Sequence, residues 1–211
     1  MKDVSQIRRD YKQFKLDEKS INKNPFEQFK LWLDEAVNDS FLEPTAFVLS
    51  TVSNQQKPSS RVLLLKGFDN EGMLFFSNYN SQKGSELLNN QYASMLFFWD
   101  KFERQIRIEG KVERISKEES ENYFKSRPYT SRIGAWASNQ SHLLKSRFTL
   151  LKQASLLMLK YKNDVPLPDF WGGYKLFPES FEFWQGRESR LHDRIKFIKK
   201  DAEWETFRLY P

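Results

Sequence analysis

Several groups of side chains have the types and spacing to do chemistry. In Arg190-Leu191-His192-Asp193-Arg194 a period of two puts Arg190, His192 and Arg194 on one face of an extended strand, with Leu191 and Asp193 on the other. Three cationic or protonatable groups side by side make a wall for an anionic or electron-rich ligand, approached through Phe183-Trp184-Gln185-Gly186; the same alternation also suits a strand face turned to water. Tyr123, Arg127 and Ser131 recur every four residues, so a backbone that stays roughly helical through Pro128 sets them in one row. Two hydroxyls and a guanidinium are suitable phosphate ligands, because the guanidinium offers a bidentate fork and the hydroxyls donate to the remaining oxygens. An ordinary exposed helix face has the same spacing. Arg61 and Lys66 bracket the apolar run Val62-Leu63-Leu64-Leu65, where charges need partners, a cleft, or room to reach water. Asn80-Ser81-Gln82-Lys83-Gly84-Ser85 follows a strand and precedes the helix-like Glu86 to Asn89, so its backbone N–H groups and Lys83 can hold a phosphate at a helix start. His142, beside Gln140 and Ser141, reads as a surface residue.

Whole classes of chemistry are excluded by composition. The 211 residues include no cysteine, which removes disulfides, thiolate metal sites and thiol nucleophiles together. With only His142 and His192 no three-histidine metal site can form, and no metal is expected. There is no Walker loop, no G-x-G-x-x-G and no G-x-S-x-G elbow. The net charge of +6, from 34 Lys and Arg against 28 Asp and Glu, raises the question of nucleic acid. Basic residues rarely come more than two together, as in Arg8-Arg9 and Lys199-Lys200, and are interleaved with acids, so a small anionic ligand fits better than a polyanion. The longest apolar run, Met95 to Trp99, is far short of the ~18 residues of a membrane span, and Met1 to Lys15 has no signal-peptide stretch. A soluble, cytoplasmic protein without membrane or nucleic-acid partners is expected.

The elements that must position these groups are mostly strands. Asn24 as N-cap and Pro25 at the first helical position open an amphipathic helix with Phe26, Phe29, Leu33, Ala36 and Val37 on one face. Strands follow at Thr45 to Val52, Ser60 to Gly67, Met73 to Asn78, Ala93 to Asp100 and Arg104 to Ile115, with turn-rich joints that imply antiparallel hairpins. Ile106, Ile108 and Val112 share one parity, so the last of these is half-buried, whereas Val62 to Leu65, apolar on both parities, should be covered on both faces. Ser116 and Glu119 form a capping box for a helix ending near Arg127, and Ile133 to Ala137 make a second short helix. Leu143 to Tyr161 form a longer helix with apolar residues at 144, 148, 151, 154, 158 and 161. Strands at Phe181 to Gln185, Arg190 to Ile198 and Trp204 to Leu209 complete a small barrel with helices outside, in which 19 Phe, 8 Tyr and 6 Trp supply the burial.

Taken together, these segments resemble the pyridoxine (pyridoxamine) 5′-phosphate oxidase family over nearly the whole chain. The specific pieces are Arg61-Val-Leu-Leu-Leu-Lys66, Glu103-Arg-Gln-Ile106, Tyr123-Phe-Lys-Ser-Arg-Pro128, Ile133-Gly-Ala-Trp136, Val165-Pro-Leu-Pro-x-Phe-Trp-Gly-Gly173, and Phe183-Trp-Gln-Gly186 followed by Arg190-Leu-His-Asp-Arg194. The resemblance implies a mainly β (α+β) fold, a split antiparallel FMN-binding β-barrel with peripheral helices, assembled as a homodimer with both flavin sites at the subunit interface. It implies a mobile lid over residues 1–23, with Arg8, Arg9, Asp10 and Tyr11 above the site, and one domain over 24–211. The implied FMN contacts are Arg61, Val62, Leu63, Leu64, Leu65, Lys66, Phe76, Ser77, Gln82, Lys83, Gln105, Gln140, Ser141, Trp184 and Arg194. The implied substrate contacts are Lys66, Tyr123, Arg127, Ser131, Arg190 and His192, the last two being the catalytic pair. The implied reaction oxidises pyridoxine or pyridoxamine 5′-phosphate to pyridoxal 5′-phosphate, with hydride transfer to the flavin and reoxidation by dioxygen to hydrogen peroxide. The chain departs from the family at Gln82-Lys83, where Arg-Lys is common, and at Phe76-Ser77, where a Tyr-Thr pair is usual.

Two other functions fit parts of the same sequence. A flavin-binding paralogue on this fold would act on a different substrate. A non-catalytic module would use the basic surface alone, and would be colourless and bind nucleic acid with a steep salt dependence.

Overall fold

The computed structural model describes residues 3–6, 10–162 and 164–211. Helix α1, Pro25–Asn38, starts where local chemistry demands: the Asn24 side chain accepts the Phe26 N–H, and Pro25 occupies the first turn. Its buried face carries Phe26, Phe29, Trp32, Leu33 and Ala36, while Val37, expected inside, is 52% exposed. Trp32 takes the place that the sequence reading assigned to Val37.

Nine described strands form one antiparallel sheet: β1 (Ala46–Val52), β2 (Pro58–Leu64), β3 (Gly67–Phe68), β4 (Met73–Asn78), β5 (Tyr92–Trp99), β6 (Arg104–Arg114), β7 (Trp171–Gln185), β8 (Asp193–Lys200) and β9 (Glu203–Arg208). The order is β2-β1-β5-β6-β7-β4-β3, with β8 and β9 branching from β7. Strand β7 makes this possible by its length. Residues 171–176 pair with β4, residues 180–185 pair with β8, and nearly the whole strand pairs with β6 across a register shift at Glu109/Gly110. The sheet therefore curls into a half-barrel around a core of Phe47, Phe75, Phe97, Phe181, Phe183 and Phe197, with α1 packed over it. In β6, Ile106, Ile108 and Val112 are buried as their parity predicts.

A second, smaller core lies outside the sheet, where Phe124, Ile133, Val165 and Trp171 join α3 (Lys117–Ser126) and α4 (Tyr129–Ala137) to the start of β7. The capping box at Ser116 and Glu119 is formed. Helix α4 begins four residues before the predicted Ile133, because Pro128 supplies its N-cap position. Residues 10–23 also pack on the barrel, burying Leu16 and Ile21 in the main core.

Two apolar surfaces are bare in the chain. Strand β2 is at the sheet edge, and Val62 is 66% exposed rather than covered on both faces. Helix α5 runs Arg147–Tyr161, capped by Ser146, four residues later than predicted, and none of its residues is buried. Its apolar stripe, including Phe148, Leu151 and Met158, faces outward. No helix among the described residues is long and apolar enough to cross a membrane.

Candidate active site

Edge strand β2, the end of β4 and helices α3 and α4 enclose a cleft of about 510 Å³. Of the predicted residues, Val62, Leu63, Leu64, Lys66, Phe76, Ser77, Tyr123, Arg127, Ser131 and Gln140 line it. Tyr123, Arg127 and Ser131 converge as expected, but by another route. Helix α3 ends at Ser126, Arg127 and Pro128 are extended, and α4 starts afresh at Tyr129. The break turns Arg127 inward: its guanidinium lies 4.6 Å from the Trp171 ring centroid and 5.6 Å from that of Phe124, and its Nη1 is buried with no hydrogen-bond partner. Burial depresses the Arg127 pKa and raises that of the Tyr123 hydroxyl. The Phe76 and Tyr123 rings stack at 3.8 Å, forming one wall.

Next to this cleft is the predicted anion loop. Helix α2, Gln82–Asn89, starts four residues before the expected Glu86, with Ser81 capping through the Gly84 N–H. Gly84 has no room for a side chain, since a Cβ would sit 2.1 Å from the Tyr79 carbonyl oxygen. Lys83 is only 5% exposed, and its ammonium donates to two neutral acceptors, Ser81 Oγ at 3.0 Å and Gln140 Oε1 at 3.2 Å. Burial, and secondly the charge of Arg61, push its pKa down to about 8, against a smaller opposing effect of Glu86.

Arg61 and Gln82 are committed elsewhere. The Arg61 guanidinium donates to the Leu49 carbonyl, the Thr51 and Ser59 hydroxyls and Glu86 Oε2, and the Gln82 amide donates to Glu86 Oε1 at 2.9 Å. Glu86, 6% exposed, thus organises both residues. Burial raises its pKa, but hydrogen bonds from Thr51, Ser59 and Gln82 together with the Arg61 charge leave it below the usual carboxylate value. Leu65 belongs to the main core, not to the cleft wall. Ser141 adopts φ 71° in the turn after Gln140, outside the cleft lining.

Gln105, Trp184, Arg190, His192 and Arg194 do not line this cleft. They form a second cluster, in which Gln105 pairs with Trp184 and Trp184 with Arg194 across the sheet. The alternation expected for Arg190 to Arg194 is overturned, because β8 starts only at Asp193 and Glu188–Arg190 form a 3₁₀ turn with Ser189 and Arg190 at φ 55° and 63°. His192 instead reaches Trp184 by leaving the strand, its ring centroid 4.6 Å from the indole. The Arg187 backbone N–H donates to His192 Nδ1 at 3.1 Å, which puts the proton of the neutral ring on Nε2. Burial and then the Arg190 charge lower its pKa, with Asp193 opposing. Tyr11 packs edge-on against both Trp184 and His192, and a Cβ on Gly186 would press within 2.7 Å of the Tyr11 ring. Asp10 is exposed beside it; Arg8 and Arg9 lie outside the described residues.

Arg194 is aimed by Glu182, which accepts from its Nε at 2.8 Å and also bonds Arg107. Burial raises the Glu182 pKa, but these two arginines outweigh it and hold the carboxyl below its usual range. The sequence reading missed Glu86 and Glu182, as well as Trp171 and Asn78, which line the cleft. Trp171 stood inside a recognised motif; the arginines that pair with the two acids are 25 and 12 residues away, beyond the reach of any local pattern.

The curled antiparallel sheet, with cations at an edge cleft, is the split barrel of flavin-binding proteins. It shares its fold with a pyridoxamine 5′-phosphate oxidase-related, FMN-binding protein of Nostoc punctiforme, at a TM-score of 0.71 and 16% identity, over 89% of this chain and 97% of that one. The chain belongs to the pyridoxine/pyridoxamine 5′-phosphate oxidase family, and it is an oxidoreductase. Residues 33–156 match the family model described as pyridoxamine 5′-phosphate oxidase, and residues 171–211 match the pyridoxine 5′-phosphate oxidase C-terminal dimerisation region. Pyridoxine/pyridoxamine 5′-phosphate oxidases of Paraburkholderia phytofirmans and Mannheimia succiniciproducens are 47% and 49% identical, each over the full length of both chains. PhzG from Burkholderia lata, solved in complex with tetrahydrophenazine-1-carboxylic acid, matches with a TM-score of 0.89 at 29% identity, over 95% of this chain and 99% of that one.

Proposed function

We propose that this chain is the FMN-dependent oxidase of pyridoxine 5′-phosphate and pyridoxamine 5′-phosphate, acting as a homodimer with dioxygen as electron acceptor. The observation that carries the reading is the division of the predicted residues into two clusters, only one of which lines the cleft. A second copy that brings its Trp184 and His192 cluster to that cleft completes a site at the interface, and the dimerisation-region match supports this.

The residues fit FMN. Lys83 is a buried cation with only neutral acceptors, beside a capped helix N-terminus, which suits a phosphate dianion. Lys83, Val62, Leu63, Leu64, Lys66, Phe76, Ser77 and Gln140 of one chain would hold the cofactor, with Gln105, Trp184 and Arg194 of the other. Arg61 and Gln82 would act through Glu86 as much as by direct contact. The chemistry supplied by bound FMN is uptake of a hydride from substrate C4′ and its delivery to dioxygen, giving hydrogen peroxide. The protein's share is capture and orientation. Lys66, Tyr123, Arg127 and Ser131 take the substrate phosphate, Arg190 packs against the ring, and His192 donates from Nε2 to the ring oxygen. The proposed N-terminal lid has Tyr11 as its inner face, and Leu16 and Ile21 anchor the chain beyond it in the main core.

The likeness to PhzG supports a second reading, oxidation of an unphosphorylated ring acid. The uncommitted Arg127 and the identity to the B6 oxidases favour the phosphorylated substrate. An absorption spectrum of the purified protein and its turnover of pyridoxamine 5′-phosphate decide among the readings. A flavin spectrum with production of pyridoxal 5′-phosphate and peroxide is expected. A flavoprotein that oxidises only a reduced phenazine carboxylic acid of the kind bound to PhzG would establish the second reading, and a colourless protein would sink both.

A further inference from the structure

Arg127 is a half-buried cation with no carboxylate partner among the described residues. Its Nη1 is buried with no hydrogen-bond partner, and the titratable group that acts on it is the Tyr123 hydroxyl. What it does have is an aromatic face: the guanidinium lies over Trp171 at 4.6 Å, closer than over Phe124. The indole is held rigidly. It begins β7, pairs with Asn78 of β4, and runs nearly parallel to Phe76 and Tyr123, at interplanar angles of 14° and 3°.

We infer that Trp171 is a positioning residue for oxyanion capture: its π face replaces the water that Arg127 gives up, and keeps the guanidinium charged and uncommitted on the cleft wall. A carboxylate in the same place would stabilise Arg127 better, but it would compete with an incoming phosphate for the same fork. An indole attracts the cation through its quadrupole without occupying the hydrogen-bonding edge. Trp171 is the aromatic best suited to this, and a smaller ring holds the cation less well. The inference rests on the reading that Arg127 receives the substrate phosphate.

The test uses the flavin-loaded protein with Trp171→Phe and Trp171→Leu, each alone and in an Arg127→Ala background. Three quantities are read: KM and kcat for pyridoxamine 5′-phosphate, and the dissociation constant of inorganic phosphate, which needs no turnover. Trp171→Phe should weaken both KM and phosphate binding about two- to fivefold and Trp171→Leu about ten- to thirtyfold, with kcat within about twofold of wild type. Neither substitution should weaken binding further once Arg127 is alanine. Unchanged KM and phosphate affinity in the Leu variant would overturn the inference, and so would an equal loss in the Arg127→Ala background, which marks a merely structural tryptophan. Should the Leu variant fail to fold, the Phe variant, which keeps a ring in the second core, decides alone. If phosphate binding weakens as stated while no B6 vitamer is oxidised, the proposed function fails and the role of Trp171 stands.

Discussion

The backbone N–H of Arg187 donates to His192 Nδ1 across five residues, at 3.1 Å. A backbone N–H can only donate, so this bond favours the neutral imidazole with its proton on Nε2. The charged and titratable groups around the ring are Arg190, Asp193 and Tyr11, and the net effect of burial and Arg190 is a lowered pKa. In the proposed site His192 therefore serves as a fixed donor. Anaerobic single-turnover flavin reduction should show His192→Asn retaining more activity than His192→Leu, and the wild-type rate should fall only on the acid side, below the usual histidine range. A rate that rises through an alkaline histidine titration, or equal defects in both variants, would count against the donor role.

If the proposed FMN site holds, Lys83 links cofactor binding to pH. Its pKa in the folded, flavin-free chain is about 8, and a bound phosphate dianion raises it, so FMN binding takes up a proton above that pH. The FMN dissociation constant should increase as pH climbs past about 8, and Lys83→Met should weaken binding and flatten the dependence. In the flavin-free protein the sign for stability is opposite. Between about 8 and the ~10.4 of an unfolded lysine, the unfolded chain holds a proton that the folded chain lacks, so stability rises with pH through that window. Fluorescence titration of FMN and thermal melts of the apoprotein read the two effects separately.

Removing Arg127 should damage capture more than chemistry. A charge-assisted hydrogen bond to a desolvated phosphate is worth ~1.5–3 kcal/mol, so Arg127→Ala is expected to raise KM about ten- to a hundredfold with a smaller loss in kcat. Pyridoxine without its phosphate should be a poor substrate of the wild type. Steady-state kinetics with both substrates checks this, and equal turnover of the two would remove the phosphate role from Tyr123, Arg127 and Ser131.

Gln82→Arg restores the cation common in the family, yet Glu86 already receives the side chain at this position. The new guanidinium should pair with Glu86, so the gain in FMN affinity stays under about tenfold and fades in salt. Gln82→Arg with Glu86→Gln frees the charge and should tighten FMN further at low ionic strength. Equilibrium titrations at two salt concentrations test the order of the three proteins.

Light scattering should find two 25.3 kDa chains per particle, and flavin content should drop on dilution below the dimer dissociation constant, because each proposed site needs both clusters. A monomer that keeps stoichiometric flavin would contradict the interface site.

What could be read from the sequence alone follows from the range of the interactions involved. The Asn24 cap with Pro25, the capping box of Ser116 and Glu119, and the parity of Ile106, Ile108 and Val112 each depend on neighbours within a few residues, and they appear in the structure where expected. The family motifs, carried in order along the chain, identified the family and its oxidoreductase class without any geometry. Tertiary structure decided the rest. Arg190 sits in a turn with left-handed backbone and His192 in the irregular link that follows it, rather than on a strand, because β8 pairs with β7 only from Asp193 onward. Arg127 faces the cleft because the chain breaks at Pro128, not because a helix continues through it. Arg61 is bound to Glu86, and Arg194 to Glu182, by folding that brings distant segments together. The outward apolar face of α5 and the bare Val62 have the same origin: periodicity marks a face as apolar, but only the surrounding chains determine what covers it.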